Sequence, residues 1–234
     1  MMKWISLLIL TTPQLIFAEV DFAAGLEALS EGPRVTCNNP TLSKYKLHKD
    51  YSNKGADCSK FITSSGEFGS HGKILRDHLS KINGSKLFDS KISGMSDLCP
   101  NWAKLSKQDK EYFWVWFFAA IAREESTCSN TAVTKGAKNG TAVGYFQLDA
   151  VKKDRYWKSG KSGKSCAVVD VKPVTDNIKC ALEIFNEQLK GLNGVFEGNG
   201  QLAGKGSRTY WQDLRKDKDK RVVYKLAGKF PGCK

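Results

Sequence analysis

The apolar run at residues 112–122, with the sequence YFWVWFFAAIA, constrains the fold of this chain more than any other feature. Polar and charged residues flank the run on both sides, at 106–111 and at 123–126. A helix of this composition has no polar face, so it must be surrounded by protein. It is also too short to span a membrane, which requires roughly 20 apolar residues. We therefore predict a mainly helical fold built around a buried central helix.

The start of this helix is indicated by Ser106 and Asp109. A serine followed three residues later by an acidic residue is typical of a capping box, because both side chains can satisfy free backbone N–H groups of the first turn. The pattern predicts that the helix begins close to Lys107.

The end of the helix carries two adjacent glutamates, Glu124 and Glu125, which follow apolar residues at spacings of three and four. Burial disfavours the charged form of a carboxyl group and raises its pKa, so such a group can stay protonated near neutral pH and act as a general acid. The alternative is a solvated or salt-bridged glutamate, for which Arg123 and Lys135 are available as partners. Helical periodicity does not distinguish the two glutamates.

Three segments in order resemble the soluble lytic transglycosylase and goose-type lysozyme-like family of the lysozyme superfamily. They are AREEST at 122–127, GTAVGYFQL at 140–148 and DNIKCAL at 176–182. In that family a helix ends in Ala-Arg-x-Glu-Ser, and the glutamate before the serine is the catalytic acid. The resemblance therefore implies a lysozyme-like helical domain in which Glu125 is the catalytic acid.

The resemblance also implies which other residues contact the substrate. Gly144 would let the backbone approach a glycan closely, and Gln147 would hydrogen-bond to a sugar. The family's Tyr-Asn-Ala-Gly motif is not found after the third segment, and Tyr210 is matched to its tyrosine by order alone. Tyr145 and Phe146 replace the usual Leu-Met pair. The predicted substrate-binding residues are Ser126, Gly144, Tyr145, Gln147, Tyr210 and Glu124.

The activity that the resemblance implies is cleavage of the β-1,4 bond between N-acetylmuramic acid and N-acetylglucosamine in bacterial peptidoglycan. Glu125 would protonate the leaving oxygen, and the transition state has oxocarbenium character. Attack by water would make the protein a lysozyme, and internal attack by the muramyl 6-hydroxyl would make it a lytic transglycosylase with 1,6-anhydro products. Asp149 is a candidate second carboxylate for hydrolysis, and Glu67 is a weaker candidate in a loop. A chitinase is the alternative substrate class.

The double glutamate motivates one further hypothesis. An acid beside the catalytic one, Glu124, could recognise the free amine of de-N-acetylated peptidoglycan. No metal or organic cofactor is expected.

Residues 1–18 are predicted to be a secretory signal peptide, with Lys3 at the positive end, an apolar region, and Ala18 at the cleavage site. The chain is therefore expected to be secreted or periplasmic. Residues 19–100 are polar and are predicted to form an N-terminal extension packed on a catalytic domain at 101–234, because they offer too few apolar residues for an independent core.

The chain is strongly basic, with a formal net charge of +13. A basic exported protein is expected to bind anionic partners. Among these, the anionic cell-wall polymer agrees best with the motifs described above. The composition lacks an arginine-rich stripe and an RNA-binding signature, so nucleic acid is not an expected partner. We expect a monomer without stable membrane insertion. The alternatives from another class are a non-catalytic secreted glycan-binding protein and a cationic membrane-active protein.

The odd number of cysteines, 7, predicts disulfides and one unpaired thiol in an exported protein. The predicted pairs are Cys166–Cys180, Cys99–Cys128 and Cys37–Cys58, which leaves Cys233 unpaired. Cys128 as a catalytic nucleophile is the alternative near the acid, but no histidine lies near it in sequence.

Other elements are predicted from local patterns. Segment 177–192 has the spacing of an amphipathic helix that packs against the central one. The basic loop at 152–164 is either a glycan-binding rim, with Tyr156 or Trp157 stacking on a sugar, or a solvated loop. Further predicted elements are helices at 20–29 and at 71–88 with a break at Asn83-Gly84, and short elements at 210–215 and 222–226.

Overall fold

The structure is a computed structural model in which residues 38–234 form one compact unit. It describes residues 40–82, 85–137, 140–150, 166, 170–191, 200–203 and 209–234. The predicted signal peptide, the predicted helix at 20–29, Cys37 and the basic loop at 152–164 lie outside the described residues. The division into an extension and a catalytic domain at residue 100 stays a prediction.

The described elements are mainly helical, as predicted, with one small sheet. The helices are α1 (Pro40–Ser43), α2 (Ser70–Leu79), α3 (Met95–Leu98), α4 (Lys107–Ser126), α5 (Val174–Lys190), α6 (Gln212–Arg215) and α7 (Val222–Ala227). Short 3-10 segments lie at Lys49–Gly55, Trp102–Lys104, Lys218–Lys220 and Pro231–Cys233. The strands are β1 (Val133–Ala137), β2 (Gly140–Val143) and β3 (Leu148–Asp149).

Helix α4 is the predicted central helix, and it begins at Lys107 as the capping pattern indicates. The Ser106 hydroxyl accepts a hydrogen bond from the Asp109 backbone N–H at 3.1 Å. No side chain in the run 112–122 is more than 3% exposed. Among the described residues, no helix is long and apolar enough to cross a membrane.

Tryptophans of α4 fasten the preceding segment to the core. The indole N–H of Trp114 donates to the Leu87 carbonyl at 2.7 Å, and that of Trp116 donates to the Tyr45 carbonyl at 2.8 Å. A buried indole N–H needs such a partner, because leaving it unpaired costs free energy. The chain at Tyr45 and at Leu87 is therefore fixed to α4 by hydrogen bonds as well as by packing.

Helices α2, α5 and α7 pack around α4. Helix α2 packs against both α4 and α5, while α7 packs against α4 and α6. Aromatic rings fill the space between α4 and α5, with Phe185 of α5 in contact with Trp114, Phe117 and Phe118. The amphipathic pattern predicted a helix at 177–192, and α5 instead runs from Val174 to Lys190.

The other predicted elements differ from the structure in length. The predicted helix at 71–88 ends at Leu79, and residues 83–84 lie outside the described part of the chain. The element at 210–215 is helical only over Gln212–Arg215. The last predicted element corresponds to α7, which extends to Ala227. The local sequence patterns identified where these elements lie but not where they end.

A three-stranded antiparallel sheet, ordered β1-β2-β3, follows the central helix. Val133 pairs with Val143 across β1 and β2, and Ala142 pairs with Asp149 across β2 and β3. The sequence patterns did not predict these strands, because they are short and carry no sustained alternation of polar and apolar residues. The sheet supports the glycine-containing turn at 144–147.

Three disulfides are present in the described part of the chain. Cys166–Cys180 is as predicted, with a Cα–Cα distance of 5.0 Å. The predicted Cys99–Cys128 and Cys37–Cys58 pairs are wrong, because Cys128 bonds to Cys58 and Cys99 bonds to Cys233. Cys233 is therefore not unpaired, and Cys128 has no free thiol to act as a nucleophile. Disulfides of this kind are typical of proteins that fold in an oxidising compartment, which agrees with the predicted export.

Candidate active site

Glu125 lies in the last turn of α4 and is half-buried. Burial of its carboxyl group, together with the nearby carboxylates of Asp213 and Glu124, raises the pKa of Glu125 to about 7, against smaller opposite effects of Lys216 and Arg215. Because a charged carboxylate is disfavoured in this environment, the group holds a proton near neutral pH. This is the property expected of a general acid.

Glu124 differs from its neighbour because it is ion-paired. Its carboxylate accepts a hydrogen bond from the guanidinium of Arg123, whose side chain is only 8% exposed. Among the described residues, no ion pair involves Glu125. The salt-bridged alternative therefore applies to Glu124, and the geometry distinguishes two glutamates that periodicity could not.

Asp213 is a member of this site that the sequence patterns did not reveal. It is 4% exposed, and its carboxylate accepts hydrogen bonds from the backbone N–H groups of Val222 at 3.3 Å and Val223 at 2.9 Å. Lys216 donates a third hydrogen bond at 3.0 Å. The carboxylate thus caps α7 and places a negative charge near Glu125. No local capping pattern has a nine-residue spacing, so no sequence signal could have identified this role.

Ser126, a predicted substrate-binding residue, connects the central helix to the turn that follows the hairpin. Its buried hydroxyl lies 2.8 Å from the Ala122 carbonyl and 2.9 Å from the Tyr145 carbonyl, and it can donate to either. The side chain faces protein rather than solvent. Its role in this structure is to hold the 144–147 turn beside Glu125.

Gly144 is required by its packing and by its backbone conformation. Its φ angle is +74°, in the left-handed region, and a Cβ atom added there would lie 2.6 Å from the side-chain nitrogen of Asn177. The Asn177 amide donates to the carbonyls of Val143 and Val171 at 3.1 and 2.9 Å and accepts from the Phe146 N–H at 3.3 Å. The lack of a side chain at Gly144 therefore allows the backbone there to lie close to the side chain of Asn177.

Replacing Gly144 with alanine should destabilise the protein by roughly 2–4 kcal/mol, because it adds left-handed backbone strain to a clash with Asn177. Gly136→Ala is a matched control, since its φ angle is also +74° and no atom lies within 4 Å of its added Cβ. The control should lose only about 1 kcal/mol. Urea denaturation of both variants measures the difference, and equal losses would show that Asn177 does not constrain this position.

Gln147 is largely engaged within the protein. Its amide oxygen accepts from the Thr134 hydroxyl at 2.6 Å, and its amide nitrogen donates to the Gly144 carbonyl at 2.9 Å and the Ala132 carbonyl at 3.3 Å. Its own backbone is left-handed, with φ of 47°. In this arrangement Gln147 fixes the turn against β1 rather than presenting its amide to solvent.

Tyr145 is buried in this structure. Its side chain is 1% exposed, and its ring contacts those of Phe61 and His71, each at 5.1 Å between centroids. Burial raises the pKa of Tyr145 to about 12. The turn directs the side chain of residue 145 into the core, and the predicted contact of Tyr145 with substrate stays a prediction.

Tyr210 lies against this turn and the strand that follows it. Its hydroxyl lies 3.4 Å from the Gln147 carbonyl, to which it donates, and it accepts from the Asp149 N–H at 3.3 Å. Tyr210 is half-buried. Tyr210 was matched to the family's tyrosine by order alone, and the structure places it in contact with the segment that carries the 144–147 turn.

The two other candidate carboxylates occupy different places. Asp149 is buried at the end of β3, beside the Tyr210 contact. Glu67 is exposed and acts electrostatically on Tyr112, which lies near the start of α4 and roughly 20 Å along the helix from Glu125. Glu67 therefore does not join the site. Among the described residues, no group of three or more His, Cys, Asp or Glu side chains is placed to hold a metal ion.

Comparison with known proteins identifies a fold relative. No protein-family model matches the chain, and no curated protein matches it significantly. Solved structures of the Bdellovibrio protein DslA are similar: the wild type in form 2 has a TM-score of 0.53 and 19% identity, covering 70% of this chain and 91% of that one. Two DslA variants with glutamate-to-glutamine substitutions match at TM-scores of 0.53 and 0.52, with the same identity and coverage. At this identity the likeness shows a shared fold.

Proposed function

We propose that this chain is an exported peptidoglycan-cleaving enzyme, a muramidase of lysozyme-like fold with Glu125 as its general acid. The observation that carries the proposal is a half-buried glutamate with a pKa of about 7, at the end of a buried helix and beside the turn that the resemblance identified. The similarity in fold between this chain and DslA is consistent with this assignment and does not by itself specify an activity.

The chemistry follows from the environment of Glu125. The protonated carboxyl donates its proton to the glycosidic oxygen as the bond to the anomeric carbon breaks, and the sugar acquires oxocarbenium character. The resulting carboxylate is then available to take a proton from the attacking oxygen. If water attacks, the product has a reducing end, and if the muramyl 6-hydroxyl attacks, the product has a 1,6-anhydro end.

Asp213 would act on this acid electrostatically. Its carboxylate is held by two backbone N–H groups and by Lys216, so it is a fixed negative charge rather than a mobile nucleophile. A negative charge near Glu125 opposes ionisation of the acid. Asp213 is thus a positioning residue that keeps the proton on Glu125.

Mass spectrometry of the soluble products from purified sacculi tests the proposed function. Reducing ends would indicate a lysozyme, and 1,6-anhydro ends would indicate a lytic transglycosylase. Chitin serves as the alternative substrate. If neither polymer yields a product that depends on Glu125, the enzyme proposal fails, and a glycan-binding or a cationic membrane-active protein remains.

The same digest tests action on de-N-acetylated wall. Sacculi with and without chemical deacetylation are compared using wild-type protein and Glu124→Gln. The hypothesis that Glu124 recognises a sugar amine requires the substitution to change the ratio of the two activities. Its pairing with Arg123 weighs against that role, because the carboxylate already has a cationic partner.

The pH dependence of cleavage provides a separate prediction. Because the acid must be protonated, activity should fall as the pH rises through about 7, the pKa of Glu125. Asp213→Asn removes a neighbouring negative charge, lowers that pKa, and should move the fall to lower pH by roughly 0.5–1 unit. Asp217→Asn is the matched control, because Asp217 is exposed and pairs with Lys220. An identical profile for Asp213→Asn and wild type would contradict the assignment.

A further inference from the structure

A cavity of about 330 Å³ lies in the segment that precedes α2. This volume is at the lower end of the range typical of small-ligand sites. The buried residues of the lining are mostly apolar, and the exposed ones include two lysines, Asp57 and several serines. The residues that matter for the argument are Tyr51, Cys58 and Ile62 in the floor and Lys46, His48 and Lys49 at the rim.

The walls of this cavity are fixed to the central helix. The buried Tyr51 hydroxyl donates to the Trp116 carbonyl at 3.0 Å. Cys58 is bonded to Cys128, which lies directly beyond the end of α4. A cavity whose walls are anchored in this way is already formed before a ligand arrives, so little conformational entropy is lost in ordering the site on binding.

The charge at the cavity favours an anion. Lys46 and Lys49 are exposed, so both ammonium groups can reach a ligand. Asp57 is the acidic residue in the lining. The adjacent Asp50 is already paired with Lys229 and His48, and its negative charge is therefore offset.

The Cys58–Cys128 disulfide joins the wall of the cavity to the segment that follows the candidate acid. The Cys58–Cys128 bond brings the Cα atoms of these residues to 5.3 Å, and Cys128 is three residues after Glu125. The maximum span of three residues places the Cα atom of Cys58 within about 16 Å of that of Glu125. Phe61, beside the cavity, contacts Tyr145, whose carbonyl lies 2.9 Å from the Ser126 hydroxyl.

We propose that this cavity binds the peptide stem of peptidoglycan, with Lys46 and Lys49 pairing with the stem's free carboxylates and the apolar floor receiving its small side chains. The inference rests on the proposed function. The stem branches from the muramyl sugar, adjacent to the bond that would be cleaved. An extended peptide of four or five residues spans roughly 13–18 Å, which is long enough to cover the maximum separation of about 16 Å between Glu125 and Cys58. The cavity would thus select wall strands that carry peptide.

The experiment measures binding to inactive protein, so that turnover does not consume the ligand. In a Glu125→Gln background, isothermal titration calorimetry compares the GlcNAc–MurNAc disaccharide that carries a tetrapeptide with the same disaccharide without peptide. The peptide should tighten binding roughly three- to tenfold, as expected for two exposed charge pairs. The pair Lys46→Glu and Lys49→Glu should abolish this gain without changing affinity for the bare disaccharide.

A matched control reverses two exposed lysines that do not line the cavity, Lys104 and Lys107 near the start of α4. Lys104→Glu with Lys107→Glu should retain the gain from the peptide. If the Lys46 and Lys49 reversals impair folding in circular dichroism, the glutamine variants at both positions provide the same test with a smaller perturbation.

Three results would overturn the inference: no gain from the peptide, a gain that survives the Lys46 and Lys49 substitutions, or displacement of the ligand by an equal concentration of inorganic phosphate. The last result would show a general anion site. Cleavage of sacculi by wild-type protein is measured separately. Cleavage without a peptide-dependent gain refutes the cavity inference alone, and a peptide-dependent gain without cleavage refutes the proposed function alone.

Discussion

Replacing Glu125 with glutamine should reduce cleavage of peptidoglycan by about 10²–10⁴-fold, the contribution expected of a general acid. Glutamine has nearly the same shape as protonated glutamic acid but cannot deliver a proton to the leaving oxygen. The loss should therefore appear in kcat, while affinity for the wall polymer is retained. The rate of release of soluble muropeptides from sacculi, measured near pH 6, provides the comparison.

The same substitution should stabilise the protein at alkaline pH. Folding raises the pKa of Glu125 from 4.5 to about 7, so the folded state binds this proton more tightly than the unfolded state does. The free energy of unfolding of the wild type therefore falls as the pH rises from 4.5 through about 7. A glutamine side chain at this position cannot ionise and avoids this loss, so at pH 8 the variant should be more stable by up to about 3 kcal/mol.

Urea denaturation at pH 5 and at pH 8 tests this second effect, because the stability difference should be small at pH 5 and large at pH 8. Glu124→Gln is the matched control, since Glu124 is paired with Arg123. A variant that is inactive yet more stable cannot owe its inactivity to unfolding. Full activity of Glu125→Gln, or an equal loss in Glu124→Gln, would contradict the assignment of the acid.

Removing the Cys58–Cys128 disulfide should produce a large loss of stability, about 4 kcal/mol, because the bond closes a loop between residues 70 positions apart. The bond also holds an unusual chain conformation. Thr127 and Cys128, directly after α4, both have left-handed φ angles, 52° and 58°. Such angles are costly for residues with side chains, so the surrounding structure must maintain them.

The variant to test carries Cys58→Ser and Cys128→Ser, and urea denaturation under oxidising conditions measures its stability. The matched control carries Cys166→Ser and Cys180→Ser, whose bond spans only 14 positions and should contribute about 3 kcal/mol. Because Cys128 lies three residues from Glu125, cleavage activity should also fall in the first variant at temperatures where it remains folded. If both variants were equally stable and equally active, the disulfide would have no special role at the site.

Several features of the protein were determined by local sequence. The run at 112–122 specified a buried helix, and Ser106 specified its first residue, because composition and capping act over a few adjacent positions. The pattern at 177–192 located α5 for the same reason. The two glutamates at the end of α4 were visible as candidate acids because a helix places them a fixed number of residues from an apolar wall.

The tertiary structure decided which groups meet. Two of the predicted disulfides were wrong, because proximity between cysteines 70 or 134 positions apart depends on how the chain returns to α4. Tyr145 was expected to meet substrate, yet the left-handed turn that begins at Gly144 directs its ring into the core. Gly144 itself is required by Asn177, which lies 33 positions later.

The character of the acid also depended on long-range packing. Sequence placed Glu124 and Glu125 side by side, and only the folded chain pairs the first with Arg123 and brings Asp213 near the second. The pKa of a carboxyl group is set by its burial and by every charge near it in space, whatever their separation in sequence. Helical periodicity describes neighbours within a few residues, so it could identify the candidate acids but not decide which one retains its proton.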